Sequence, residues 1–193
     1  MKILKRLELI GFSLVLLLSL LSVFVDYEGQ SIILGLLLSL GAFAYFFGGF
    51  FFFSKSPFLS YKPSVGFGVF MGITTSIVLV GLMFRTNMFD GAEVMLLTGS
   101  ALTGACLLLA TVLMVKAPEH KSYWRLTLIR LGTLLVIGLF MYTQNRDVVM
   151  QRKYGDYPFY LEAVDNFRAD PSDENHEELI KAIHKLDSLR YAE

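Results

Sequence analysis

The sequence predicts an all-α polytopic membrane protein: a bundle of five transmembrane helices followed by a soluble helical hairpin. Three observations predict it. Five apolar runs are each long enough to cross a bilayer, the charged residues fall almost entirely between and after them, and the composition changes abruptly at residue 144. A hydrocarbon core about 30 Å thick takes about 20 apolar residues in a helix. The runs cover residues 9–25, 32–53, 65–84, 94–115 and 126–143, so the chain divides into a bundle, 1–143, and an extramembrane tail, 144–193. Only 18% of the 193 residues are charged, against about 25% in soluble domains, so much of the surface faces lipid. The net charge of zero gives no reason to expect a nucleic-acid partner.

The first run follows Lys2, Lys5 and Arg6 and has the outline of a signal peptide. Its exit, LSVFVDYEG, has no small-residue cleavage pattern, so it reads as a retained first span. The second run ends in seven phenylalanines between Phe43 and Phe53, a bulky half suited to lipid or a partner helix. Small residues, which let helices approach in lipid, mark the packing faces. They are Ser31, Gly35 and Ser39 in the second span, Gly68, Gly72 and Ser76 in the third, and Gly99, Ser100, Thr103, Gly104, Ala105, Cys106 and Ala110 in the fourth. The fourth is the densest and is expected at the bundle centre. Tyr123, Trp124 and Tyr142 are placed for an interfacial belt around the fifth. Cys106, the single cysteine, makes no intramolecular disulfide and reads as a small packing residue.

Orientation follows from the connections. The N-terminus, the second connection (Lys55, Lys62) and the fourth (Lys116, Lys121, Arg125) are basic; the first, DYEGQ, has no basic residue and the third has only Arg85. This alternation predicts a cytoplasmic N-terminus and, after five spans, a periplasmic C-terminus, outweighing Arg146, Arg152 and Lys153 beyond the fifth. The third connection is an outer turn in which Gly91 is permissive, Asp90 is expected to cap the returning helix and Glu93 meets its positive dipole end. The first two spans repeat the plan of the next two. Gly11 and Gly66 open the outgoing helices, acidic glycine turns follow, and Lys55-Ser-Pro57 matches Lys116-Ala-Pro118. The landmarks suggest a parallel duplication of one hairpin.

Little chemistry is evident. No Asp or Glu lies in the five runs, which counts against an ion-driven carrier. Arg130 lies within a run, near its inner end, where it can snorkel to lipid headgroups. The hydroxyls of Thr74, Thr75 and Ser76 are expected to bond back to helix carbonyls. HEELI, starting at His176, lacks the second histidine of a zincin helix, and His184 adds only one more ligand. No nucleophile elbow, Walker loop or dinucleotide fingerprint is present, so no catalytic residue, metal or cofactor is expected. In the tail, Asp170 reads as an N-cap and Pro171 as the first residue of a helix. Leu179, Ala182, Ile183, Leu186 and Leu189 form an apolar stripe there, with Leu179, Ile183 and Leu186 as its partner-binding candidates.

Residues 81–99, GLMFRTNMFDGAEVMLLTG, resemble a hairpin signature of small Bacteroidota inner-membrane proteins, of the form G-x-x-F-K-x-x-H-W-P-G-A-x-E-M-L. That group includes the motor subunit of gliding motility and type IX secretion. Gly81, Phe84, Arg85, Phe89, Asp90, Gly91, Ala92, Glu93, Met95 and Leu96 follow the outline, with one residue fewer after Ala92. Asn87 or Met88 takes the histidine position and Asp90 the proline. In the motor subunit the next helix carries a glutamate implicated in proton use; here LTGSALTGACLLL has no carboxylate. The resemblance implies lineage and hairpin form, without motor activity. Together these readings lead us to expect a non-enzymatic subunit of the bacterial inner membrane. It would scaffold a cell-envelope complex through its bundle and tail, with the lipid bilayer and other membrane or periplasmic proteins as partners. The alternative is a small transporter or channel component for a neutral or lipid substrate.

Overall fold

The computed structural model describes residues 2–24, 30–55 and 65–190. Regular structure among them is helical throughout: α1 (Lys2–Leu21), α2 (Gln30–Lys55), α3 (Val65–Thr86), α4 (Ala92–Lys116), a 3-10 turn (Pro118–His120), α5 (Lys121–Thr143), α6 (Arg146–Tyr154), α7 (Pro158–Ala169) and α8 (Asp173–Arg190). The chain forms two compact units, Met1–Thr143 and Gln144–Glu193. Among the described residues, four helices are long and apolar enough to cross a membrane, over Gln30–Gly49, Gly66–Thr86, Ala92–Lys116 and Pro118–Thr143. α1 has 20 residues, about 30 Å at 1.5 Å per residue, and its apolar part among the described residues is Ile10–Leu21. The acidic first turn at 25–29, Lys62 and Pro57 lie outside the described residues, as do the side chains of Lys2, Lys5, Arg6 and Lys55.

The spans are apolar on every side, so small residues rather than amphipathic stripes decide which faces meet. α2 and α3 meet backbone to backbone. A Cβ on Gly72 would lie 2.6 Å from the Tyr45 carbonyl oxygen and 2.7 Å from Gly49 Cα, while one on Gly49 would lie 3.0 Å from the Gly68 oxygen. Ser76 Oγ reaches across this seam to the Ala42 carbonyl at 2.7 Å. On its other side α3 receives α4, where a Cβ on Gly99 would meet Val78 Cγ2 at 2.7 Å. α5 closes the core: a Cβ on Gly138 would lie 2.9 Å from Ser100 Oγ. α1 is the most loosely attached, touching α2 and α5; Phe12 lies against Tyr45, and Phe24, three residues past the end of α1, stacks on Phe140. Hence the two hairpins whose sequences run parallel differ in packing: α3 and α4 adhere along their length and α1 and α2 do not.

Two expectations are corrected. The central helix is α3, not α4: 61% of the α3 span is buried, against 33% for α4. The small residues of α4 are split between faces. Gly99, Ser100, Thr103, Cys106 and Ala110 are buried, whereas Ala105 is exposed and a Cβ on Gly104 would meet nothing within 4 Å. Gly104 is therefore no packing contact within the chain. Trp124, placed by the sequence in an interfacial belt, is fully buried. It forms a cluster with Phe67, Met71, Cys106, Ala110 and Leu131, with its ring edge-to-face with Phe67 at 5.3 Å. In that cluster the large indole accompanies the small Cys106 and Ala110 of α4.

The tail has three helices where the sequence suggested two. Asn145 caps α6, its Oδ1 accepting from the Asp147 N–H at 2.9 Å, and Arg168 ties α7 to α6 through Asp147 at 3.1 Å. Asp170 is not the N-cap of α8. It ends α7, its N–H donating to the Asn166 carbonyl at 3.0 Å, and Ser172 caps α8 by accepting from the Asn175 N–H. Pro171 lies between the two helices, where its fixed φ suits a break. Ala163, Val164, Ala182 and Leu186 are buried where α7 and α8 pack together, with Lys185 Nζ 4.4 Å above the Phe159 ring. The stripe on α8 is thus divided: Leu186 belongs to the hairpin's own core, Leu179 is half-buried, and Ile183 is 39% exposed.

Candidate functional site: a buried arginine at the end of the bundle

α1, α3 and α5 end, and α2 and α4 begin, at one end of the bundle. The polar residues here belong to helix termini, whose last carbonyls and first N–H groups have no partner within their own helix. α3 runs two residues further than its apolar run suggests and ends at Thr86. The Phe89 N–H then returns to the Phe84 carbonyl at 2.8 Å and the Met88 N–H to that of Arg85 at 3.3 Å, the paired pattern of a Schellman ending. Such an ending needs one left-handed residue, and here it is Met88, φ 58°, a conformation that costs a side-chain-bearing residue about 1–2 kcal/mol. Gly91, φ 84°, makes the second left-handed step and occupies the N-cap of α4 with no side-chain cap. Asp90 therefore does not cap α4 as the sequence suggested; the sharp turn places glycine there instead.

This ending puts Arg85 inside the protein, with 5% exposure. Its Nε donates to the Met141 carbonyl at 3.0 Å and its Nη2 to that of Tyr142 at 3.2 Å. Nη1 lies 3.8 Å from the Glu93 carboxylate, which is 66% exposed. Thr143 Oγ donates to the Phe140 carbonyl at 2.7 Å, so three successive carbonyls at the end of α5 are occupied. A guanidinium suits the position because its planar fork spans adjacent carbonyls and its charge opposes the negative end of the helix dipole. One side chain of α3 thereby fixes the point where α5 leaves the bundle, with the first turn of α4 held more loosely. Around it, Asn87 Nδ2 donates to the Met83 carbonyl at 2.8 Å, and Gln30 Nε2 to that of Ser22 at 3.2 Å.

The sequence placed Arg85 in an exposed turn and singled out Arg130 instead. Arg130 is half-buried on α5, remote in sequence from this cluster. The signal for Arg85 was present: an arginine directly after an apolar run, followed eight residues later by a carboxylate opening the returning helix. Gly68, Gly72, Gly99, Ser100 and Thr103 are buried at helix contacts, and Gly49, Gly81 and Gly138 belong with them. Ser76 bonds back to Gly72 as well as across to Ala42, whereas Thr74 Oγ meets no partner among the described residues. His176 lies beside the Phe167 ring, and among the described residues no three His, Cys, Asp or Glu side chains converge on a metal-sized space.

No protein-family model, no curated protein and no solved structure matches this chain. The resemblance of residues 81–99 to the Bacteroidota hairpin rests on the residues quoted for it.

Proposed function

We propose that this protein is a non-enzymatic subunit of a bacterial inner membrane, working without a cofactor, that scaffolds a cell-envelope complex. It crosses five times, with α1 as the first span, a cytoplasmic N-terminus and a periplasmic tail that meets a membrane or periplasmic protein. The observation that carries this reading is how Arg85 is used. Its buried guanidinium is bound to the backbone of α5, where it ties the end of α3 to the end of α5. The Gly72–Gly49 contact likewise makes the α2–α3 seam rigid, as a scaffold requires. The resemblance of residues 81–99 to envelope proteins of Bacteroidota supports the same assignment. A small transporter component for a neutral or lipid substrate is the second reading, favoured by the unpartnered Thr74 and Ser100 hydroxyls in the core.

Purification in mild detergent, with identification of co-eluting proteins, tests the scaffold. Envelope proteins should co-elute with the wild type and be depleted by Ile183→Asp, which alters an exposed residue of α8 and spares the hairpin core. A solitary species, or unchanged partners with the variant, removes the scaffold or the tail from the reading respectively. Orientation is read in a Cys106→Ser background. A membrane-impermeant thiol reagent on cells with a permeabilised outer membrane should label Ser188→Cys and spare Ser122→Cys, and the reverse pattern inverts the topology.

A further inference from the structure

Hydroxyls in apolar helices have a ready partner, the carbonyl one turn back. Ser19, Thr103, Thr111, Thr127 and Thr133 each donate to the carbonyl four residues earlier, at 2.7–3.1 Å. Thr74 and Ser100 depart from this pattern. Both are buried, Thr74 fully and Ser100 with 3% exposure, and neither Oγ meets a hydrogen-bond partner among the described residues, although the Phe70 and Leu96 carbonyls are one turn back on the same helices.

The two residues lie on facing stripes. Thr74 is one turn from Val78, which touches Gly99 and Gly138, and one turn from Met71, in the cluster with Cys106 and Leu131. Ser100 adjoins Gly99, and its Oγ lies over Gly138 of α5, whose helical backbone offers it no donor or acceptor. Thr103, one turn on, brings a third oxygen to the same face and has already given its proton to Gly99. A polar group without a partner in a low-dielectric interior is costly, and buried polar groups with none in the protein are the ones ordered water serves. The apolar runs bring no Asp or Glu to this level, so the guest such hydroxyls take is neutral and both donates and accepts.

The geometry points to a hydration site at the α3–α4–α5 junction, where a water-sized neutral guest bridges Thr74 and Ser100. It does not depend on the scaffold reading.

The sign of a stability change tests it. Thr74→Val and Ser100→Ala remove the hydroxyls with little change of shape. Each should lower the melting temperature in detergent, and the double variant should fall no further than the worse single, because the shared water is already lost. Thr74→Ser, which keeps the hydroxyl, should retain most of the wild-type value. Hydroxyl-radical labelling of the intact protein in 18O-water should mark the segment 70–78 in the wild type and not in the double variant. Melting temperatures that rise or hold on removing either hydroxyl, losses that add, or no label at 70–78 would overturn the site.

Discussion

α3 and α4 contain similar small residues, yet α3 is by far the more buried. α3 meets three helices: α2 across glycine backbones, α4 across Gly99, and α5 at both ends through Trp124 and Arg85. α4 packs with one face and presents Leu97, Leu108, Val112 and Val115 outward. Small residues permit close approach; they do not create it. The partner backbone must also arrive at the same level, as Gly49 does at Gly72 and no residue does at Gly104. Counting small residues along a helix therefore identifies a helix able to be central, and their register against a neighbour determines which one is.

The largest expected effect breaks that comparison directly. Gly72→Leu places a side chain where even a Cβ meets backbone at 2.6 and 2.7 Å, and backbone cannot rotate away. Overpacking costs about 1–3 kcal/mol and sometimes more; this site should reach or pass the upper figure, because α2 and α3 must separate along the seam. Gly104→Leu, in open space, should change thermal stability in detergent by less than about 0.5 kcal/mol, as surface substitutions do. Equal losses would mean that α4 has a partner at Gly104 in the assembled protein.

What was legible in the sequence follows from the same physics. The helical class and four of the membrane-length helices were legible because a span must be apolar for its whole length and satisfies its backbone internally. The glycines at real contacts were legible in part: Gly68, Gly72 and Gly99 stood out, and Gly49 was hidden among phenylalanines. The burial of Trp124 was not legible, since tryptophan suits a membrane interface or a core equally well by composition. The start of α8 was misplaced because Asp170-Pro171 has the form of an N-cap, and only the geometry assigns Asp170 to the preceding helix. The importance of Arg85 was obscured by two residues of helix length. Had α3 ended at Phe84, its guanidinium would face water; ending at Thr86 turns it toward the α5 carbonyls. Element boundaries are the least certain part of a sequence reading, and here one decides whether a charge is inside or outside.

The smaller effects sharpen the comparison at that boundary, where α3 supplies the cation and α4 the carboxylate. Arg85→Ala removes the donors to two carbonyls within a buried helix end, and an unsatisfied buried acceptor costs about 1–3 kcal/mol. Because water can enter the vacated space, the expected loss in thermal stability is about 2 kcal/mol. Arg85→Lys should recover part of it, since an ammonium restores the charge opposing the helix dipole but cannot span both carbonyls as the planar fork does. Glu93→Gln should cost far less. Its carboxylate is 66% exposed and 3.8 Å from Nη1, a pair of the solvent-screened kind that contributes from nothing to about 1 kcal/mol, and glutamine keeps an oxygen acceptor. Thermal unfolding of the three variants at low and high salt separates the terms. The Glu93→Gln deficit should shrink with salt, while the Arg85→Ala deficit should persist, because hydrogen bonds buried at a helix end are screened little. If Glu93→Gln matched Arg85→Ala, the α4 carboxylate would be the principal partner of the guanidinium, and the α5 carbonyls would be secondary.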